Sequence, residues 1–265
     1  MPIGPATYKI ITDQVRLRVL QFAQNAWTGL GSWRDSDIQA FIDAVVPMVA
    51  GGQQQIASLT NAFLAEQVAG LFGGSAAPAG LSPEETSGSA LRNGADPREV
   101  YRRPAVQMYR ALKQGAALDA AVDLGANRIA QLVSTDMQLA KTHAAQQTLR
   151  DSKAQYYRRK LHGSKNCALC IVASTQRYRV KDLMPCHPGC QCTPEPIEGS
   201  APHVLDKARL EELHSAVERV TGQKSDRGAR GELDYRKILV VRNHGEYGPT
   251  LTYKGQAFTG PGDIN

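Results

Sequence analysis

The first 166 residues of this 265-residue chain contain no cysteine, and all five of its cysteines fall between Cys167 and Cys192. That distribution excludes a disulfide framework spread through the fold, and an odd number leaves at least one thiol outside any pairing. No apolar run approaches the roughly 20 residues that cross a bilayer. The opening MPIGPATYKIITDQVRLRV has neither a basic start, nor an unbroken apolar stretch, nor a small-residue cleavage site. The expectation is therefore a soluble chain made in a reducing cytosol, where clustered cysteines serve metal or redox chemistry before structural bridges. Neither a G-x-S-x-G elbow nor a phosphate-cradling glycine loop occurs, which removes the α/β-hydrolase and P-loop classes.

Aromatic residues are few, at 6%, yet 42% hydrophobic residues suffice for a sizeable core. The formal net charge of +6 favours acidic or polyanionic partners but is too mild to establish nucleic-acid binding. Thr12 followed by Val15, Val19, Phe22 and Ala26 predicts a capped helix closed by Gly29 and Gly31. Asp35 and Ser36 introduce a longer apolar pattern that runs from Ile38, Phe41, Ile42, Val45 and Val49 to Ile56, Leu59 and Phe63. Pro47 and the Gly51–Gly52 pair should kink or split it. The stretch from Gly73 to Ala95 is small, polar and rich in Pro and Gly, so it reads as a mobile linker or loop. Asp96 and Pro97 then open a helical region reaching about Leu161, with Val122, Ile129, Val133, Ala140 and Ala144 at helical spacing. Asp206–Val220 reads as an amphipathic helix carrying Leu210, Leu213 and Val217, ended by Gly222. Ile238–Val241 and Thr250–Tyr253 read as short strands before an irregular tail.

The fold class expected is mainly α, with a small α+β metal-stabilised module and a short β-containing tail. Its divisions are a helical region over 1–72, a linker over 73–95, a helical region over 96–160, a knuckle module over 161–198, and a helix with strands over 199–265. The module's sequence is NCALCIVASTQRYRVKDLMPCHPGCQCTP. Cys167 and Cys170 have the two-residue gap that lets one tight turn aim two thiolates at one ion, and His187 with Cys190 repeats that gap. Gly189 permits a sharp turn, while Pro185, Pro188 and Pro194 stiffen its surroundings. Six donors compete for four places. The preferred set is Cys167, Cys170 and His187 with either Cys190 or Cys192, because Cys186 adjoins His187 and neighbouring side chains seldom reach one ion together. The blander reading is a group of buried thiols behaving as small hydrophobes.

Pro185, Cys186 and Cys190 approach the P-C-x-x-C half of the zinc-deaminase signature, here with three intervening residues, but no H-x-E or C-x-E lies upstream. His244, Gly245 and Glu246 form H-x-E downstream, in the reverse order, which makes Glu246 the one acid suggested for a zinc-dependent nuclease or deaminase-like enzyme. CALC lacks the βαβ surroundings of a thioredoxin-like centre. His143 and His214 sit in helical stretches and read as surface or core residues, and His162 and His203 flank the motif as neighbours of its ligands. The basic-aromatic residues Tyr156, Tyr157, Arg158, Arg159, Lys160, Lys165, Arg177, Tyr178, Arg179 and Lys181 could meet phosphates and bases. They read more simply as a solvated helix face whose positive end suits the helix dipole.

The block from Leu161 to Pro196 resembles the phage Mu F-like family of minor head proteins, chiefly through His187-Pro188-Gly189-Cys190-Gln191-Cys192-Thr193-Pro194. Gln191 stands where that family often has arginine, a departure that leaves the donors intact. The helical region before the motif is similar to the family's arrangement, and the ending HGEYGPTLTYKGQAFTGP looks like tails of members from actinobacterial phages. The resemblance implies a low-copy virion component of the head interior or portal vertex, made in the bacterial cytoplasm. It further implies association with the portal protein and other capsid proteins during head assembly, weak contact with packaged DNA, and a part in DNA ejection. A non-enzyme with structural Zn2+ is the corresponding expectation, since four protein ligands leave no open coordination position.

Overall fold

Pro5 at a first-turn position opens α1, Pro5–Thr28, and this computed structural model describes residues 3–75, 77–161, 166–186, 190, 192–199, 207–228 and 231–255. Thr12 lies within α1 and not at its cap; its hydroxyl donates back to the Tyr8 and Lys9 carbonyls at 3.0 Å each. The buried stripe is Tyr8, Thr12, Val15, Val19, Ala23 and Trp27, so Phe22 faces outward. α2 runs unbroken over Asp35–Phe72. Pro47 sits on its exposed side, where water can satisfy the carbonyl that loses its helical N–H. Gly52 is a packing residue: a Cβ there would lie 2.6 Å from Val19 Cγ2, so its absence lets α1 approach.

The stretch from Gly73 to Ala95 is fastened along α2 and is no free linker. Asn61 brackets Ala79, donating to its carbonyl at 2.8 Å and accepting from its N–H at 2.9 Å, and Gln53 Oε1 accepts from Gly88 N at 3.0 Å. A 3-10 turn at Gly88–Arg92 then buries Leu91 and Arg92. Asp96 caps α3, Pro97–Lys113, by accepting from Arg98 N at 2.9 Å. α4, Leu118–Arg150, packs against α1, α2 and α3 around Trp27, Phe41, Ile42, Tyr101, Met108, Ile129 and Val133.

Helix ends at Arg150, earlier than the expected Leu161, because YYRRK forms the strand β1, Tyr156–Lys160, with an alternating burial pattern. β1 is the middle of a three-stranded antiparallel sheet, flanked by β2, Arg177–Arg179, and β3, Thr193–Ile197. Between β1 and β2 lies the short helix α5, Ala168–Ser174. α6, Lys207–Thr221, buries Leu213 and Val217 against Ile171 and Val172 of α5, leaves Leu210 exposed, and gives way to Gly222 at φ 70°. Ser225–Asp226, β4, and Leu233–Asp234, β5, make a short parallel pair. β6, Leu239–His244, and β7, Gly248–Tyr253, pair as an antiparallel hairpin and contain the two short strands expected, save Ile238, which ends the 3-10 turn before β6. The expected irregular tail after Gly255 lies outside the described residues.

Candidate metal centre

Cys170, Cys186, Cys190 and Cys192 are buried, and their sulfurs all lie within 4.8 Å of one another, close enough to hold a metal ion. No disulfide joins them, and the closest pairs, Cys170–Cys190 at 3.0 Å and Cys190–Cys192 at 3.1 Å, are well beyond the bonded S–S length. Four thiolates around a tetrahedral ion at about 2.3 Å would stand about 3.8 Å apart, within the spread found here.

Three local devices deliver the four sulfurs. α5 carries Cys170. Cys186 is fixed by a bridge to Leu251 of β7, supported by Leu251 N donating to Pro185 O at 2.9 Å. Cys190 and Cys192 lead into β3, where alternate residues point to one side, and Gln138 of α4 donates to the Cys192 carbonyl at 3.4 Å. Leu169, Ala173 and Leu251 complete an apolar jacket around the sulfurs.

Cys186, set aside because it adjoins His187, is thus one of the four. Cys167 is exposed and outside that set; it is the N-cap of α5, its Sγ accepting from Cys170 N at 3.2 Å. His187 lies outside the described residues, as do His162, Lys165 and His203. Adjacency misled because Cys186 belongs to a strand-like bridge whose partner, Leu251, lies far along the chain.

The surroundings favour negative charge on sulfur. The neighbouring thiols of Cys170, Cys186 and Cys190 together hold Cys192 well below the usual thiol range, with Arg159 helping. Hydrogen bonds from the other cysteines, Cys167 foremost, push Cys170 up; at Cys190 the bond to Cys170 lowers the pKa, but those to Cys186 and Cys192, with burial, outweigh it and push it up. Arg159 is fully buried and aims Nη1 at Cys192 Sγ from 3.4 Å, with Nη2 on the Met184 carbonyl. Burial works against the charge on Arg159, but its attraction to the cysteine sulfurs beside it outweighs that and holds its pKa well up. Lys141 of α4 lines one small cavity with Cys190; burial lowers its pKa, opposed by Cys192 and Cys190. A divalent ion with four thiolates would carry a net charge of −2, which Arg159 and Lys141 together offset.

Glu246 belongs to a different place. At the hairpin tip it accepts from Arg92 Nη1 at 2.7 Å and is also bonded by Arg103. Arg92 continues to Asp136 at 2.7 Å, and Asp136 also accepts from Tyr101 at 2.7 Å and Gln53 at 3.2 Å. Burial would raise the Glu246 pKa, but Arg92 and Arg103 prevail and hold it below the usual range. This carboxylate is an ionised anchor in the turn before β7, and about 10 Å of that strand separates Gly248 from Leu251 at the thiol site. His143 is half-buried on α4, and His214 Nδ1 meets Ser225 Oγ at 2.9 Å on α6.

No protein family, curated protein or solved structure matches the chain. Among the described residues, no helix is long and apolar enough to cross a membrane.

Proposed function

We propose that the chain is a phage minor capsid protein, resembling the Mu F-like family, that associates with the portal during head assembly and uses a structural Zn2+ to fasten its C-terminal module onto a helical body. The observation that carries the structural role is the closed set of four buried thiols, which would fill a tetrahedral shell and leave no position for substrate. A donor set of four soft thiolates suits zinc or iron, and Arg159 and Lys141 would offset the charge of either divalent ion; zinc is proposed as the usual ion of closed four-ligand structural sites. The family reading rests on the His187–Pro194 motif quoted above. Against a nuclease or deaminase-like reading, Glu246 is engaged by two arginines at the hairpin tip, so it is not disposed to handle a proton at the thiol site.

Elemental analysis of the purified chain should find about one zinc per molecule. Co-expression with its cognate portal protein should yield a complex that survives gel filtration. A metal-free chain with an intact C-terminal module would overturn the structural-metal reading, and a portal that never co-purifies would overturn the capsid reading. Glu246→Ala should leave incubated single-stranded and duplex DNA intact, as the parent does; turnover by the parent that this variant abolishes would restore the enzyme.

A further inference from the structure

The outer face of the β2–β1–β3 sheet presents more cations than the described acidic residues there can answer. Tyr157 and Arg159 of β1 point inward, so Tyr156, Arg158 and Lys160 share the half-exposed face. Across the ladder Arg158 stands opposite Arg177, and Tyr156 opposite Arg179. Like charges directly opposite each other destabilise a strand pair. On the other flank Glu195 answers Lys160 at 3.1 Å and Arg158 at 3.7 Å. No ion pair among the described residues engages Arg150, Arg177, Arg179 or Lys181, all of them exposed.

Two of these side chains are nevertheless held in place. Arg177 donates to the Gly199 carbonyl at 3.2 Å and lies over the Tyr156 ring at 4.3 Å. Arg150 donates to the Lys181 carbonyl at 3.2 Å, and its position in the last turn of α4 offsets the carbonyl end of that helix. Beside Arg150 opens a recess of about 600 Å3 lined also by Gln155, Tyr156, Arg179 and Lys181. Asp151 and Asp182, adjacent in sequence, do not line it.

The geometry points to a binding site for the phosphate backbone of a single-stranded nucleic acid, read without regard to sequence. Residues two apart on a strand are separated by about 6.6 Å, a distance comparable to successive phosphates of an extended single strand. The recess admits one splayed nucleotide, and the Tyr156–Arg177 stack offers it a flat surface. A duplex, rigid and wide, would meet the rims and not the recess. The inference uses the sheet's outer face with the adjoining Arg150 and Lys181, and stands independently of the capsid reading. Arg159, on the opposite face of the same strand, ties the sheet to the thiol site, so the metal-loaded chain is the form to test.

Fluorescence anisotropy of a labelled oligothymidylate with the zinc-loaded full-length chain should show saturable binding. Arg177→Gln with Arg179→Gln should weaken it at least about tenfold, which is about 1.4 kcal/mol, and lower the salt slope by roughly 1.4 for two lost phosphate contacts. Arg150→Gln, on α4, should weaken it independently of the sheet variants. Arg110→Gln with Lys113→Gln, two exposed cations at the end of α3, removes equal charge and should change little. Circular dichroism and zinc content should be unchanged in all. Equal losses in the α3 and sheet variants would reduce the effect to net charge and overturn the site. So would tighter binding to duplex DNA, to tripolyphosphate or to phosphatidylserine vesicles than to the oligonucleotide.

Discussion

In the helical body Trp27 is packed edge-on by Trp33 and Phe41 and covered by Gly125, where a Cβ would come within 2.2 Å of the indole. Beyond Arg150 the corresponding centre is four sulfurs jacketed by Leu169, Ala173 and Leu251. The first region obtains its rigidity from area and shape, with one continuous apolar cluster reaching from α1 to α4. The second divides its apolar surface between this sulfur cluster and a smaller one of Ile171, Val172, Leu213, Val217, Tyr235 and Ile238, so under the proposed function a bound ion would carry much of its cohesion. The two regions should therefore fail separately, and under different treatments.

The largest effect should come from removing the metal. In small metal-nucleated modules the ion's binding energy, about 10–16 kcal/mol in zinc-finger peptides, is folding energy. Chelation, or Cys170→Ser with Cys186→Ser, should expose the amides of β1, β3 and β7 to hydrogen exchange while α1–α4 stay protected. Loss of protection in both regions together would show one cooperative unit. Next in size is the converse experiment: Trp27→Ala should cost about 3–5 kcal/mol, and Gly125→Ala about 1–3 kcal/mol through overpacking. Both should lower the thermal midpoint of the helices with zinc content unchanged.

The asymmetry also governs what the sequence disclosed. Helices with an amphipathic stripe announced themselves, including α3 with its Asp96 cap and α6, because periodicity reports burial against a partner surface. Pro47 and Gly52 misled because the same residues that break a helix also permit an exposed carbonyl or a close approach, and only the neighbour decides which. The strand YYRRK was hidden by its charge, which alternates with buried residues only once β2 and β3 are beside it. Clustered cysteines disclosed the thiol site, but Cys186 was not recoverable by spacing, since its place depends on Leu251 far along the chain. The arginine anchors of Glu246 were equally silent, coming from residues distant in sequence.

Where the regions meet, the hairpin tip is latched to the body by Arg92 and Arg103 on Glu246, by Asn93 on the Gly245 carbonyl at 3.1 Å, and by Arg92 over Tyr247. A carboxylate whose pKa is lowered on folding stabilises the fold above its unfolded pKa, and that contribution disappears as pH falls through the folded value. The latch should thus be intact at neutral pH and weaken below about pH 4. Hydrogen exchange over β6 and β7 should accelerate in that window. Glu246→Gln should cost about 1–3 kcal/mol at neutral pH and remove the acid-dependent step. An unchanged acid response in the variant would place the titrating group elsewhere.

The smallest expected effect is the most discriminating between spacing and geometry. Spacing pairs Cys167 with Cys170 as two ligands, whereas geometry gives Cys167 the N-cap of α5 and completes the four with Cys186. Serine is a good cap and a poor soft-metal ligand. Cys167→Ser should therefore keep one metal per chain and shift stability by no more than about 0.5 kcal/mol, while Cys186→Ser releases the ion. Titration of the two variants with a zinc chromophore chelator reads the difference directly. If Cys167→Ser yields its metal as readily as Cys186→Ser, the knuckle spacing outranks the buried set, and the sulfur of Cys167 must swing from Cys170 N to the ion on loading.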